Sequence, residues 1–342
     1  MPANVETMAY AYEEGSTRQA YSVPWHGGGT QVHKDLDAHQ FLEKANLAGW
    51  KLTMVPEYTI IKSKKHKTGL RSLVRRRCPI NIHGKEVSPL ISSGFGNKYV
   101  PTQPEELAEV VNQYVLNGDL EMNTAGSLDG GRMIYMSARM KGTRSIVKGD
   151  TVDSYMLFSS PNILAASGSI KLVFTRVVCT NTHAAAMSEN STIDVRWDHR
   201  RAFNQERVME DLARADMRFQ THISACKEIA SKRYTVEDMK EYIHKLFPIE
   251  RKTENEEMMK KIEFSSRGQK VLDGMDTQPG VEFAQGSWWQ VYNGVTYALD
   301  HVITENPEFR LYKSLYLDAP LKLRALNLAR EYAGKSKSLV IA

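Results

Sequence analysis

Two hydrophobic periods divide this chain. Over the first half, apolar and polar residues tend to alternate; over the second, apolar residues recur every three or four positions. Trp50 to Ile61 alternates and is rich in β-branched residues, which predicts a strand broken at Pro56. The two-residue period returns at Leu120–Ser127, Met133–Lys141 and Ser154–Ser159, and Asp129-Gly130-Gly131 between the first two is a hairpin signal. Lys171 to Cys179 is the fourth strand of this series. Its apolar run (Leu172, Val173, Phe174, Val177, Val178) gives way to small polar residues and alanines up to Met187, a buried strand turning into the start of a helix.

Helical spacing appears first after Asp37, which caps Phe41, Leu42, Ala45 and Ala48, with Gly49 as the stop. Thr102-Gln103-Pro104-Glu105-Glu106 opens a second helix with Leu107, Val110, Val111, Tyr114 and Val115 on one side and Gly118 at its end. Later helices are predicted over Phe203–Ser231, Thr235–Leu246, Phe264–Leu272, Trp288–His301 and Leu321–Tyr332. Helix, meander, helix is an α+β order: an antiparallel β-meander flanked by helices, then a mainly helical C-terminal half. The expected division is a polar N-terminal tail at 1–20, an α+β core domain at 21–190 and a mainly helical region at 191–342.

Composition narrows the class. With 342 residues, 42% hydrophobic and 25% charged, the chain reads as a soluble globular protein. No apolar run approaches the ~20 residues that span a bilayer, and the N-terminus has no basic and apolar segments of a secretory signal. Cys78, Cys179 and Cys226 form no CxxC pair, which suits a reducing cytoplasm. Net charge is only +5, yet Lys62 to Arg77 (KSKKHKTGLRSLVRRR) carries no acid at all. Such a run can neutralise phosphates from a hairpin or long loop, and it also fits a merely solvated loop.

Other candidate chemistry is sparser. Cys179 with Asn181 and His183 invites a cysteine–histidine nucleophile reading; a structural cysteine at a strand end competes with it. Asp129, Asp150 and Asp153 could form a carboxylate cluster for Mg²⁺ or simply shape turns, and the ten histidines show no paired metal-ligand spacing. Trp25-His26-Gly27-Gly28-Gly29 lacks the strand–loop–helix context of a phosphate loop and reads as a turn over a packed tryptophan. Trp288-Trp289 reads as a core pair with one ring at the surface.

Several stretches in order resemble a known family. They are Pro24-Trp25-His26-Gly27; the strand–turn Thr175-Arg176-Val177-Val178-Cys179-Thr180-Asn181-Thr182; the passage Trp197 to Arg207; and Trp288 to His301 with Asn293, Asp300 and His301. The chain is similar there to the phage- and plasmid-borne proteins built on the bacterial and viral domain of unknown function numbered nine-three-two. It departs from them in placing His183 after Asn-Thr, and in Ser159-Ser160-Pro161-Asn162 where the family has a Ser-His-Asp-Gly-like turn. The resemblance implies a phage, plasmid or bacterial cytoplasmic setting and supplies no reaction. The family-motif residues to locate are Trp25, His26, Gly27, Arg176, Cys179, Asn181 and Thr182.

The functional expectation is a DNA-binding protein, acting in single-strand annealing, recombination or replication. Lys64, Lys65, Lys67, Arg71, Arg75, Arg76 and Arg77 would hold the phosphate backbone, with Arg176, Arg200 and Arg201 bordering a groove. The order of elements is also that of phage single-strand annealing recombinases, an analogy of fold alone. The expected partner is DNA, single-stranded in preference to double-stranded, bound by a homo-oligomer without cofactor, metal or membrane. Two alternatives stay open: an enzyme built on the Cys179–His183 corner, and a phage structural or assembly protein.

Overall fold

The computed structural model of the chain describes residues 5–12, 29–142, 144–176, 182–184, 195–200, 215–249, 263–303, 313 and 317–335. It forms two compact units that interleave along the chain. One holds residues 1–141, 155–172 and 192–215, the other 142–154, 173–191 and 216–342. A single cut at residue 190 therefore does not separate them, because 142–154 and 173–191 group with the helices that follow. The α+β class holds: antiparallel strands occupy the N-terminal half, and most of the seven α-helices among the described residues follow them.

The first unit is built on a sheet. Its strands are β1 (Val5–Tyr12), β2 (Thr30–His33), β6 (Leu120–Leu128), β7 (Met133–Met140), the 155–161 part of β9 (Asp150–Pro161), the 168–172 part of β10 (Gly168–Arg176) and β12 (Val195–Trp197). They run in the order β10–β9–β7–β6–β1–β2, with β12 on β10. The β6–β7 hairpin forms at the anticipated turn, where Asp129, Gly130 and Gly131 all have positive φ. Most pairs are antiparallel, but β1 and β2 run parallel. Trp197 pairs with Gly168 across the two strands and its indole takes the space a side chain would need: a Cβ there would fall 1.9 Å from the ring.

Helix α1 (Ala38–Lys44) starts at Asp37, whose carboxylate accepts from the Gln40 amide while the Gln40 side chain returns the bond, a capping box. Helix α2 (Pro104–Leu116) buries Leu107, Ala108, Val110 and Val111. Both helices pack on β6 and on each other, and Asn112 accepts from the Ala38 amide. A separate three-stranded sheet, β3 (Leu52–Ile61), β4 (Lys64–Arg75) and β5 (Leu90–Phe95), belongs to the same unit.

The N-terminus corrects the expectation of a polar tail. Val5 to Ala11 are buried on both faces of β1, between β2 and β6. Glu6 and Thr7 look like surface residues in the sequence, but each finds a partner: Thr7 shares a 2.9 Å hydrogen bond with Ser127, and Glu6 is claimed by Arg75. Paired polar groups can enter a core that would exclude them alone.

The second unit is mainly helical. It holds α3 (Ala215–Ala230), α4 (Val236–Leu246), α5 (Ser266–Thr277), α6 (Trp288–Tyr297) and α7 (Ala319–Lys335). A π-helical turn at Ala298–Val302 extends α6. Short pairings add β8 (Arg144–Val147) against the start of β9, and β11 (Thr182–Ala184) against the end of β10. Both Trp288 and Trp289 are fully buried, which corrects the expectation of one surface ring. Trp288 stacks on Tyr332 and meets Tyr242 edge-on, while the Trp289 indole N–H donates to Asp150 at 2.7 Å. The buried carboxylate gives the Trp289 indole N–H a polar partner, so that ring can be buried without water.

Candidate nucleic-acid interface

The basic run falls on the β3–β4 hairpin and splits into two environments. Its last residues form the base of the hairpin, where β5 adds a third strand opposite Arg71, Leu73 and Val74. Its first residues form an arm beyond that base. There Tyr58 pairs with Lys67, Thr59 with His66, Ile60 with Lys65 and Ile61 with Lys64. No third strand pairs with the arm among the described residues, and every residue from Tyr58 to Leu70 is exposed.

The turn between the strands is Lys62-Ser63, both at positive φ (47° and 64°). This is the backbone that a two-residue hairpin turn demands, usually supplied by Asn-Gly. Lys-Ser accepts that conformation and puts a cation at the apex. Because paired residues share a face, Tyr58, Ile60, Lys65 and Lys67 line one side, and Thr59, Ile61, Lys64 and His66 the other. The Lys65 ammonium sits 5.2 Å from the centre of the Tyr58 ring.

Negative charge is kept off the arm. From Tyr58 to Leu70 there is no acid. The nearest, Glu57, turns toward the base, accepting from the Ser72 hydroxyl at 2.9 Å and the Gly94 amide at 2.6 Å. A carboxylate held by two donors there does not compete for the lysines.

Arg75 is a correction. It was expected to hold phosphate; instead it is 1% exposed, and its guanidinium donates to both carboxylate oxygens of Glu6 at 2.7 and 2.6 Å. Its Nε donates to the Ser88 carbonyl at 2.9 Å, and its head lies 4.6 Å over the Trp50 ring. Fork-on-fork geometry inside a core is what selects arginine over lysine here. Gly131 completes the seat: a Cβ there would meet Arg75 Nη1 at 3.0 Å and Trp50 at 3.1 Å.

The remaining expected cations are spread out. Arg71 is half-buried and donates to the Met54 carbonyl. Arg76 is exposed. Arg77 is also exposed, and it borders a cavity of about 300 Å³ shared with Glu43, Trp50 and Cys78. Arg200 is exposed beside Asp198, whose carboxylate accepts from its amide at 2.9 Å. Arg176 ends β10 in the second unit. Trp25, His26, Gly27, Cys179, Asn181 and Arg201 lie outside the described residues. Thr182 and His183 enter β11, opposite Thr175 and Phe174.

Sequence reading missed Tyr58, Ile60, Ile61 and Leu70 as surface groups. The signal was present in an apolar Tyr-Thr-Ile-Ile run that flows into lysines without an intervening acid.

The described part of the second unit contains a different cysteine–histidine pair. His222 Nε2 and Cys226 Sγ are 3.4 Å apart on α3, both buried. Burial pushes the thiol well above its ordinary pKa and the imidazole down to about 3. An activated pair needs the reverse, a lowered thiol beside a protonatable base with access to substrate. Nearby buried polar groups are matched as well, with Lys322 Nζ 2.5 Å from Asp300. Desolvation lowers the Lys322 pKa, opposed by the Asp300 carboxylate. Asp150 is occupied by the Trp289 indole. Among the described residues no group of three or more His, Cys, Asp or Glu side chains could hold a metal ion, and no helix is long and apolar enough to cross a membrane.

Against known proteins, a family described as a domain of unknown function, DUF932, matches residues 93–330. No curated protein and no solved structure matches the chain. The basic hairpin precedes the matched stretch, which takes in α2, the β6–β7 hairpin, the strand–turn around Arg176 and most of the helical unit. With well over half its length matched, the chain belongs to the DUF932 family.

Proposed function

We propose that this protein binds DNA, taking hold of the phosphate backbone with the β3–β4 arm. One observation carries the reading: Lys62, Lys64, Lys65 and Lys67 stand exposed on a paired ribbon that has no acid between residues 58 and 70. Lysines on a paired backbone are held apart at fixed spacing, so they neutralise phosphates with less ordering cost than a slack loop would require. Arg76 and Arg200 add exposed positive charge on the same unit. Arg75 serves the fold and takes no part. A role in replication, recombination or genome protection fits the mobile-element setting that the family resemblance implies.

The test is fluorescence anisotropy with labelled single-stranded and double-stranded DNA over a salt series, using protein stripped of nucleic acid. Binding that weakens linearly on a log–log plot is expected. The slope on duplex should be at least about −3, near −0.9 for each phosphate neutralised. Absence of binding to either form at low salt would overturn the proposal.

A further inference from the structure

Resting on that reading, we infer that the arm enters a groove of double-stranded DNA, with Ile60 and Ile61 against the base edges and lysines of opposite faces on the two walls. Three features of the arm lead there. The first is its two-sidedness. Lys65 and Lys67 stand on one face and Lys64 on the other, with Lys62 at the apex. A single strand lying along a protein presents its phosphates to one face. A duplex groove has a phosphate wall on each side, so it can satisfy both faces at once.

The second feature is size. Four paired residues per strand, Tyr58–Ile61 against Lys64–Lys67, make up the arm. At ~3.3 Å per residue they extend roughly 13 Å. The major groove is about 12 Å wide, wide enough for a two-stranded ribbon, and about 8.5 Å deep, so the arm can reach its floor. The third feature is the placing of apolar surface. Ile60 is 72% exposed and Ile61 55%, one on each face just behind the turn, so a tip seated on the groove floor brings both within reach of base edges and thymine methyl groups. Large apolar side chains at a charged tip are unexplained by solubility. They fit a surface that has apolar patches between two lines of phosphate.

This inference predicts a preference for duplex, where the element order alone suggested single strands. The experiment compares the wild-type protein with an Ile60→Ser/Ile61→Ser variant on duplex and single-stranded DNA of equal phosphate count. Both side chains are largely exposed, so the variant's melting temperature should match wild type, confirming a folded protein. The wild type should bind duplex at least tenfold more tightly than single strand. The variant should lose most of that preference while keeping its salt slope, because no charge has been removed. DNA binding without duplex preference, or a variant indistinguishable from wild type, would overturn the inference and leave the proposed function standing. No DNA binding by the wild type, or capture of anionic vesicles in its place, would overturn both.

Discussion

Replacing Arg75 with alanine separates the two roles that one basic run contains. The side chain makes two charge-assisted bonds to Glu6, one bond to the Ser88 carbonyl and a stacked contact with Trp50, all in a core where Glu6 is only 6% exposed. Its removal leaves the Glu6 carboxylate with the Ser127 hydroxyl as its remaining side-chain donor. Deleting one partner of a buried pair costs about 3–5 kcal/mol, since the other charge stays desolvated. For a folding unit of some 150–250 residues, at about 2–4 °C per kcal/mol, the melting temperature should fall by roughly 6–20 °C. Arg76→Ala, at an exposed site one residue away, should change stability by no more than about 0.5 kcal/mol. Removing both charges with Glu6→Leu/Arg75→Leu should recover part of the loss, as the orphaned carboxylate disappears with its partner. Circular dichroism melts and urea titrations on the four proteins, with DNA affinity measured alongside, give the answer. An Arg75→Ala protein that melts like wild type but has lost DNA affinity would refute the assignment, because the guanidinium would then face nucleic acid.

Two further predictions concern the helical unit. Burial holds the His222 pKa at about 3 against an ordinary 6.5, so above pH 6.5 both folded and unfolded states are neutral and nothing is lost. Below pH 6.5 the unfolded chain takes up a proton that the folded one refuses. Stability should therefore fall toward pH 3 by about 1.4 kcal/mol per unit, roughly 2 kcal/mol by pH 5. Urea titrations at pH 7.5 and pH 5 should show a smaller acid loss in His222→Leu than in wild type; equal losses would exclude His222 as a source. At Gly294 an added Cβ would lie 2.4 Å from Met275 Cγ and 3.2 Å from its Cα, so α5 and α6 would have to part. Gly294→Ala should cost about 1–3 kcal/mol by chemical denaturation, and an unchanged midpoint would contradict the close helix approach.

The elements that were legible in the sequence are those decided by neighbours in the chain. The Asp37 cap bonds three residues ahead, and Asp129-Gly130-Gly131 turns back on itself within a few positions, so local chemistry announces both. What escaped depends on distant partners. Glu6 and Arg75 are each surface residues by type, and their meeting across 69 positions is what lets both enter the core beside β1's apolar residues. The same pairing withdraws Arg75 from the expected phosphate site. One ring of the Trp288-Trp289 pair was expected at the surface; both are buried, and the Trp289 indole finds its partner in Asp150, 139 residues away. The hairpin itself was foreseen as one of two options. That Ile60 and Ile61 would stand bare was not, because alternation reads the same whether one face is covered or neither is.

The most direct measurement is the salt slope of duplex binding for wild type and for Lys64→Ala/Lys65→Ala/Lys67→Ala, followed by anisotropy on one labelled duplex. All three lysines are exposed, so the variant should melt with the wild type. If the arm holds the backbone, the slope should shrink by roughly 2–3, at about 0.9 for each lost phosphate contact, and affinity at low salt should fall with it. A folded variant with the wild-type slope and affinity would contradict the account, and place any DNA contact elsewhere on the protein.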